Sequence, residues 1–345
     1  MKFNVDTQFL LDCFEDIIKV PSPTGYYREL NPALERYAAM FDIPVTYDNR
    51  KNPYLTLEGE DNSKTVMLSA HADTVGFMVR RIDASGTVRI RSLGGINLST
   101  VDGETVTVHT RDGRAYTGLF LCQSYSTHVF KDALSLERNE STMMILLDED
   151  VHSKAEVEAL GIGVGDFVSV DPRCQITKNG FVKSRFIDDK GAIACTFAML
   201  KYMKENGLKP KYRTILTFPY FEELGFDAYV PEGVSEYVSV DIGLIGPDNN
   251  ATEHSVSICA KDGQAVYDYD LTNRLVEYAK KADINYTLEL YYRYSSDSNV
   301  VRKAGYDLSA ALFGMPVYGS HGMERTHVDA LANTTALMLA YVLDI

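Results

Sequence analysis

Residues 65–73 read TVMLSAHAD, a short apolar run that ends in His71 and Asp73. A run of this length and composition is typical of a buried strand. In open α/β sheets, functional side chains gather beyond the carboxyl ends of the strands. The pair therefore predicts a site after this strand, although a histidine that only caps a strand is the commoner explanation of such a pair on its own.

The sequence on either side of this run alternates between helical and strand patterns. Helical periodicity precedes it at residues 7–19 and 26–41, and the alternation returns after a long stretch of short β-rich runs separated by turn pairs. We predict an α/β domain with a mostly parallel central sheet flanked by helices, interrupted by a small β-barrel-like domain. The predicted boundaries are residues 1–75 and 176–345 for the α/β domain and residues 76–175 for the insertion.

Composition and charge exclude several classes of function. The 345 residues are 45% hydrophobic, which excludes a fully disordered chain, and a net charge of −14 opposes nucleic acid and anionic membranes as partners. The five cysteines are scattered and never form a Cys-x-x-Cys pair, so neither a disulfide framework nor a zinc knuckle is indicated. No apolar run approaches ~18 residues, and acidic residues interrupt the N-terminal segment, which therefore lacks a signal-peptide core. We expect a cytoplasmic protein.

Four further segments place acidic or imidazole side chains next to predicted strand ends or helix starts: Asp188-Asp189, Glu222-Glu223, Asp241 and His321. Each has an ordinary explanation by itself, namely helix capping, a solvated acidic pair, a turn aspartate or a surface histidine. Together with His71 they are harder to attribute to chance, because strand ends converge on one crevice in a doubly wound fold. Oxygen and imidazole donors are the ligands of hydrolytic zinc, cobalt or manganese.

The donors can be divided into two metal sites that share one carboxylate. The two predicted ligand sets are His71, Asp188 and Asp241, and Asp188, Glu223 and His321. Glu222 is then free to act as general base, taking a proton from water and returning it to the leaving amine. Asp73 is predicted to fix the orientation of the His71 ring.

Several longer segments carry a resemblance to a known family, and they span nearly the whole chain. They are IKVPSPTG, LSAHADTVGFMV, SLGG, ALGIGVGDFV, FIDDKGAIA, FEELG, VDIG and SHGMERTH. The chain resembles the glutamyl and deblocking aminopeptidases, dinuclear metallopeptidases that include the cellulase-M-like members. The resemblance implies a zinc-peptidase-like fold, two divalent ions per subunit, and an inserted β domain used in homo-oligomers from dimers to dodecamers. Zinc is the expected metal, with cobalt or manganese as alternatives.

The resemblance also implies roles for individual residues, and the chain departs from the family at some positions. The family's ligands correspond to His71, Asp188, Glu223, Asp241 and His321, its general base to Glu222, and its orienting aspartate to Asp73. The family commonly has Glu where this chain has Thr74, and SHGMERTH replaces the usual surroundings of the last ligand histidine. His327, in that segment, is therefore a rival ligand or a candidate substrate contact.

The predicted function is hydrolysis of N-terminal residues from peptides by a hydroxide that bridges the two metals. A second hypothesis is a deacylase or amidase acting on a small acylated amino acid or amide, motivated by Thr74 and the SHGMERTH segment. A non-catalytic assembly protein and a two-carboxylate glycosidase have less support, because no ligand position is lost and the donors outnumber what a glycosidase needs. Asp297 is predicted first as a helix cap and second as a contact for the substrate amine.

Overall fold

A computed structural model describes residues 3–226 and 229–345. The chain divides into two compact units, one formed by the residues up to Asp73 together with Arg173–Ile345, and the other by Thr74–Pro172. The helices are α1 (Thr7–Ile18), α2 (Leu30–Ala39), α3 (Lys154–Ala159), α4 (Ile187–Glu205), α5 (Tyr269–Lys281), α6 (Asp297–Lys303) and α7 (Val328–Leu343). Short 3₁₀ turns cover Leu98–Thr100 and Glu222–Leu224.

The strands are numbered in chain order across both units. They are β1 (Val45–Tyr47), β2 (Pro53–Leu57), β3 (Asp61–Ser69), β4 (Gly76–Ile82), β5 (Val88–Leu93), β6 (Glu104–His109), β7 (Ala115–Cys122), β8 (Met143–Leu147), β9 (Phe167–Val170), β10 (Gln175–Ile176), β11 (Phe181–Ser184), β12 (Tyr212–Thr217), β13 (Val234–Val240), β14 (Gly243–Leu244), β15 (Val256–Lys261), β16 (Tyr286–Leu290), β17 (Ser309–Gly314), β18 (Pro316–Val317) and β19 (Glu324–His327).

The first unit is built on an eight-stranded sheet in the order β1-β2-β12-β3-β13-β17-β15-β16. The central strands β12, β3, β13 and β17 run parallel, as do β15 and β16, whereas the β1–β2, β2–β12 and β15–β17 pairs are antiparallel. The carboxyl ends of the four central strands therefore lie at the same edge of the sheet, where ligand sites form in such folds. The predicted α/β class is confirmed, with a mixed sheet around its parallel centre.

Helix ends and helix burial follow from local sequence. Asp6 and Asp268 cap α1 and α5, because each carboxylate accepts a hydrogen bond from the backbone N–H three residues on. The α4 segment AIACTFAML is buried throughout and packs against α1 and α7, so it needs no polar face. At its start, Asp188 and Asp189 have non-helical backbone angles.

The second unit contains a closed barrel in the order β4-β5-β8-β7-β6-β9. Its interior is apolar, with Phe77 and Phe120 stacked at a centroid distance of 4.7 Å. Alternation of buried and exposed residues along these strands accounts for the β-rich texture of the sequence. The predicted barrel-like insertion is thus present as a closed barrel.

The sequence LSAALFGMPV, residues 308–317, predicts a single strand followed by a turn, and the structure differs from this prediction. The strand breaks at Met315, between β17 and β18, and the SHGMERTH segment contains β19. β19 pairs with β11, antiparallel, with Phe181 opposite His327. Because that partner lies far away in the sequence, local patterns give no indication of this strand.

Candidate metal centre

The predicted site residues of the first unit lie together beyond the carboxyl ends of the central strands. His71 follows β3, the Glu222–Leu224 turn follows β12, and Asp241 follows β13 directly. His321 comes after β17 and β18, in a short turn where its φ is 60°. The parallel order of the strands is the reason that residues so distant in sequence meet.

Asp188 lies between the two histidines of the cluster. Its Oδ1 is 3.0 Å from His71 Nε2, and its Oδ2 is 3.5 Å from His321 Nε2. Glu223 Oε2 is 3.3 Å from the same nitrogen of His321. One carboxylate therefore presents its oxygens to two different imidazoles, as a carboxylate shared between two metal ions must do.

Asp73 organises the start of the Glu222–Leu224 turn. Its carboxylate accepts hydrogen bonds from the backbone N–H groups of Glu222 at 3.2 Å and Glu223 at 3.3 Å, and from Thr24 Oγ1 at 2.8 Å. The His71 ring, in contrast, is closer to the Asp73 carbonyl oxygen, 3.0 Å from Nδ1, than to its carboxylate, at 3.5 Å. Asp73 thus holds both the imidazole and the acidic pair.

Glu222 and Asp241 face the same imidazole from a greater distance. Glu222 Oε2 is 3.9 Å and Asp241 Oδ1 is 4.0 Å from His71 Nε2. Asp241 is fixed by Ser296, whose hydroxyl donates a hydrogen bond of 2.6 Å to Oδ2. Glu222 is held through its backbone, so its carboxyl group is the less constrained of the two.

Crowding of buried carboxyl groups determines the electrostatics of the cluster. Burial raises the pKa of Glu223 to about 8, and burial together with the Asp188 carboxylate raises the pKa of Asp241 to about 6. Burial also raises the pKa of Glu222 well above its ordinary range. Burial acts on Asp188 too, but His321 and His71 outweigh it and keep its pKa low. The carboxyl groups of the cluster outnumber its two imidazoles, and divalent cations would supply the missing positive charge.

The donor set fits divalent metal ions. His71, Asp188 and Glu223 offer ligand atoms within 4.8 Å of one another, and so do His71, Asp189 and Asp241. The second group includes Asp189, to which the sequence analysis gave no role. Its Oδ1 is buried without a hydrogen-bond partner among the described residues. This oxygen is therefore available as a further ligand atom for a cation. Imidazole and carboxylate ligands suit zinc, cobalt and manganese.

Comparison with known proteins agrees with this geometry. The profile of the M42 glutamyl aminopeptidase family matches residues 52–337. The chain belongs to this family. The family is one of dinuclear metallopeptidases, so the protein is a hydrolase that acts on peptide bonds, and the resemblance noted in the sequence is confirmed.

Individual relatives cover the whole chain. YhfE of Bacillus subtilis (strain 168), which carries the name of an aminopeptidase, is 38% identical over 334 residues, 96% of each chain. The TET aminopeptidase of a marine sediment Thaumarchaeota archaeon has a TM-score of 0.85 at 17% identity, covering 97% of this chain and 96% of that one. The TET1 peptidase of Pyrococcus horikoshii has a TM-score of 0.80 at 20% identity, covering 97% of this chain and all of the other. These structures share the zinc-peptidase-like fold.

Glu324 lies beside the proposed ligands, although no local pattern in the sequence predicts a role for it. Its buried carboxyl group accepts hydrogen bonds from the backbone N–H groups of Asp188 at 3.0 Å and His321 at 3.2 Å. Burial raises its pKa well above its ordinary range. The unusual SHGMERTH segment is the sequence feature that could have drawn attention to Glu324. Its role, however, depends on the pairing of β19 with β11.

His327, the rival histidine, lies apart from these ligands. It caps α7, where Nδ1 accepts a hydrogen bond from Asp329 N at 3.1 Å, and Nε2 donates one to Asn179 O at 2.7 Å. Its ring is 4.3 Å from that of His254. Both ring nitrogens are engaged, and it is His321 that contacts Asp188 and Glu223.

Asp297 is buried and is the first residue of α6, so the prediction that it caps the helix is wrong, since Ser296 occupies the capping position. Its Oδ2 accepts a hydrogen bond of 2.6 Å from Ser69 Oγ. Its charge also contributes to the raised pKa of Glu222, after burial and Asp241. Asp297 is therefore near the acidic pair, while its contact with a substrate amine stays a prediction.

None of the helices in the described part of the chain is long and apolar enough to span a membrane.

Proposed function

We propose that the protein is an aminopeptidase that removes N-terminal residues from peptides, using two divalent metal ions and Glu222 as general base. The observation that carries this proposal is the position of Asp188, whose two oxygens face His71 and His321 with the Glu222-Glu223 pair beside them. A shared carboxylate between two imidazoles, with a further carboxyl group left over as a base, is what dinuclear hydrolysis requires.

The metal ions would be held by the shared carboxylate and the donors on either side of it: His71, Asp188, Glu223, Asp241 and His321. Zinc is the proposed metal, and cobalt or manganese would fit the same donors. When bound, such ions activate water and polarise the scissile carbonyl group. The residues supply the rest of the chemistry.

Glu222 is proposed to move the proton. Its backbone is anchored to Asp73, and its carboxyl oxygen Oε2 is 3.9 Å from His71 Nε2, beyond hydrogen-bond distance. It would accept a proton from the attacking water and return that proton to the amine that leaves when the peptide C–N bond breaks. Because burial raises the pKa of Glu222, its carboxyl group is suited to hold a proton between these two steps.

Replacing the base tests this role. Glu222→Gln keeps the size of the side chain and should lower kcat by about 10²- to 10⁴-fold on aminoacyl anilides, the range of general-base effects. Metal content, measured by elemental analysis, should stay near the wild-type value. The exposed Glu277→Gln on α5 is a matched control that should leave both quantities unchanged. A metal-loaded Glu222→Gln protein with full activity would contradict the proposal.

The surroundings of His321 are a reason to test a second class of substrate. His321 lies in the turn that joins Tyr318 to Arg325, which pair with each other as an isolated bridge. This turn replaces the family's usual residues and adjoins the proposed ligand. A panel of aminoacyl anilides and N-acyl amino acids separates the hypotheses, since deacylation without anilide hydrolysis would favour the small-amide deacylase.

We also propose a cytoplasmic homo-oligomer, between a dimer and a dodecamer. Support comes from the fold shared with the Pyrococcus horikoshii TET1 peptidase, which can assemble into a tetrahedron or a large octahedral shell, and from five cysteines that form no disulfide. The inserted barrel is the proposed oligomerisation domain. Sedimentation velocity of the purified protein measures the assembly, and a monomer at micromolar concentration would contradict it.

A further inference from the structure

Tyr294 brings a phenol hydroxyl to the acidic cluster, and no other role accounts for it. The residue lies in the loop between β16 and α6 and is half-buried as a whole. Its hydroxyl oxygen, however, is enclosed and makes no hydrogen bond within the described residues. A buried hydroxyl without a partner is costly, so such a group in a native fold calls for an explanation.

The ring and backbone of Tyr294 are both held in place. Its ring meets that of Tyr291 edge-on at a centroid distance of 5.3 Å and packs against a buried cluster that includes Leu312. Its carbonyl oxygen accepts a hydrogen bond of 3.0 Å from Gly263 N. The backbone and the ring of Tyr294 are therefore fixed, and its hydroxyl is available to hydrogen-bond a substrate.

The loop that carries Tyr294 adjoins the acidic cluster, because Ser296, two residues on, donates a hydrogen bond of 2.6 Å to Asp241 Oδ2. After burial, Asp241 and Asp188 are the strongest influences that raise the pKa of Tyr294 well above its ordinary value, and Glu222 contributes as well. Conversely, Tyr294 is among the groups that oppose the rise in the pKa of Asp241, although the two make no hydrogen bond of normal geometry. Together with the Ser296 contact, these interactions place the Tyr294 hydroxyl near Asp241.

We propose that the Tyr294 hydroxyl donates a hydrogen bond to the scissile carbonyl oxygen of the substrate as that oxygen gains negative charge. This inference rests on the proposed function. The side chains around it, Asp188, Asp241 and Glu222, are acceptors when ionised, so none of them can then donate a hydrogen bond to a developing anion. The phenol is a neutral donor placed among them.

The reaction balances without any change at Tyr294. The water oxygen bonds to the carbonyl carbon, the C–N bond then breaks, and the proton of the water reaches the leaving amine by way of Glu222. The phenol keeps its proton throughout and hydrogen-bonds the oxygen most strongly when the carbon is tetrahedral. Its effect should therefore fall on kcat rather than on KM.

The test is Tyr294→Phe, which removes only the hydroxyl and keeps the packed ring. We expect kcat on a peptide substrate to fall about 10²- to 10³-fold, the usual loss for one oxyanion donor, with KM changed by less than about threefold. Affinity for a phosphinic dipeptide analogue, which mimics the tetrahedral anion, should fall in parallel. Affinity for the product amino acid should stay the same, and both are measured by calorimetry.

Controls separate this role from a structural one. Tyr291→Phe removes the neighbouring hydroxyl, which accepts a hydrogen bond from Leu244 N, and should leave kcat near wild type. Metal affinity of Tyr294→Phe should equal that of the wild type. If it falls instead, and saturating metal restores kcat, then Tyr294 positions Asp241 and the proposal is overturned. Unchanged kcat and unchanged affinity for the analogue would also overturn it.

Failure of the proposed function gives a different result. In that case the wild type hydrolyses no aminoacyl substrate, whatever residue is at position 294. The analogue then still decides the Tyr294 inference, because its binding requires no turnover. Weaker binding to Tyr294→Phe supports a donor role, and equal binding contradicts it.

Discussion

Glu324 illustrates how one residue outside the ligand set can determine the geometry of the centre. It joins the start of α4 to the turn that contains His321. Its two carboxyl oxygens accept hydrogen bonds from the backbone N–H groups of Asp188 and His321. It touches neither imidazole ring through these bonds. Groups that orient ligands in this way commonly alter metal affinity when they are replaced.

The variant Glu324→Gln should therefore bind metal more weakly. The amide has one oxygen and one NH₂ group, so it can accept only one of the two backbone bonds and would leave the other buried N–H unsatisfied. We expect metal affinity to fall about 10- to 100-fold, measured by competition with a fluorescent chelator. Glu277→Gln, at the exposed position on α5, is the matched control. Wild-type affinity in Glu324→Gln would show that the two backbone bonds are dispensable.

Protonation of the same residues predicts a pH dependence of metal binding. Burial lowers the pKa of His321, but Asp188 and Glu223 outweigh it and raise the pKa to about 10 in the metal-free protein. The imidazole is therefore protonated at pH 7 and must lose its proton to become a ligand, as must Glu223, whose pKa is about 8. Metal affinity should rise between pH 6 and pH 9, with proton release at pH 7. Calorimetry in buffers of different ionisation enthalpy measures that release, and its absence would contradict the assignment.

At the scale of the element, the site depends on how closely β17 approaches the end of β13. Asp241 N–H donates to Phe313 O at 3.0 Å, which holds the aspartate against the neighbouring strand. A Cβ atom on Gly314 would lie 1.8 Å from the Asp241 carbonyl oxygen, far inside contact distance. Only glycine fits there without moving one of the strands.

Gly314→Ala should therefore disturb both stability and metal binding. Relief of the clash requires β17 to move away from Asp241, and overpacking of this kind costs about 1–3 kcal/mol. We expect a lower Tm and a weaker affinity for metal in the same variant. Gly163→Ala serves as the control, because a Cβ there meets no atom within 4 Å. A Gly314→Ala protein with normal Tm and metal content would mean that the strands adjust freely.

At the scale of the whole molecule, charge links metal binding to stability. The chain carries a net charge of −14, and the buried carboxyl groups of the site add unfavourable interactions when they ionise. Divalent cations would bind the folded arrangement and not the dispersed ligands of the unfolded chain. They should therefore stabilise the fold.

Metal removal should lower the Tm. At a free metal concentration a hundred times Kd, binding stabilises the folded state by about 2.7 kcal/mol per site, equivalent to several degrees in Tm. Scanning fluorimetry with EDTA, and then with added zinc, cobalt or manganese, measures the loss and the recovery. His71→Ala, which removes a ligand of one of the two proposed sites, should reduce the recovery. A Tm that is insensitive to both chelator and metal would contradict a metal centre in the first unit.

The sequence by itself was sufficient to predict where these strands end, because apolar runs and the polar residues that follow them are local features. That is why His71, Glu222-Glu223 and Asp241 could be placed at the end of strands, and why the β-rich stretch indicated a separate insertion. Long segments such as FIDDKGAIA and FEELG were also sufficient to predict the family. Both kinds of information are contained in short stretches of chain.

The tertiary structure alone decided which side chains meet. Glu324 reaches Asp188 through the pairing of β19 with β11, and the ring of Tyr294 packs edge-on against that of Tyr291. His321 contacts Asp188, whereas His327 caps α7. Such contacts join residues far apart in the chain, so they depend on the packing of the whole unit and leave no periodic or local signal in the sequence.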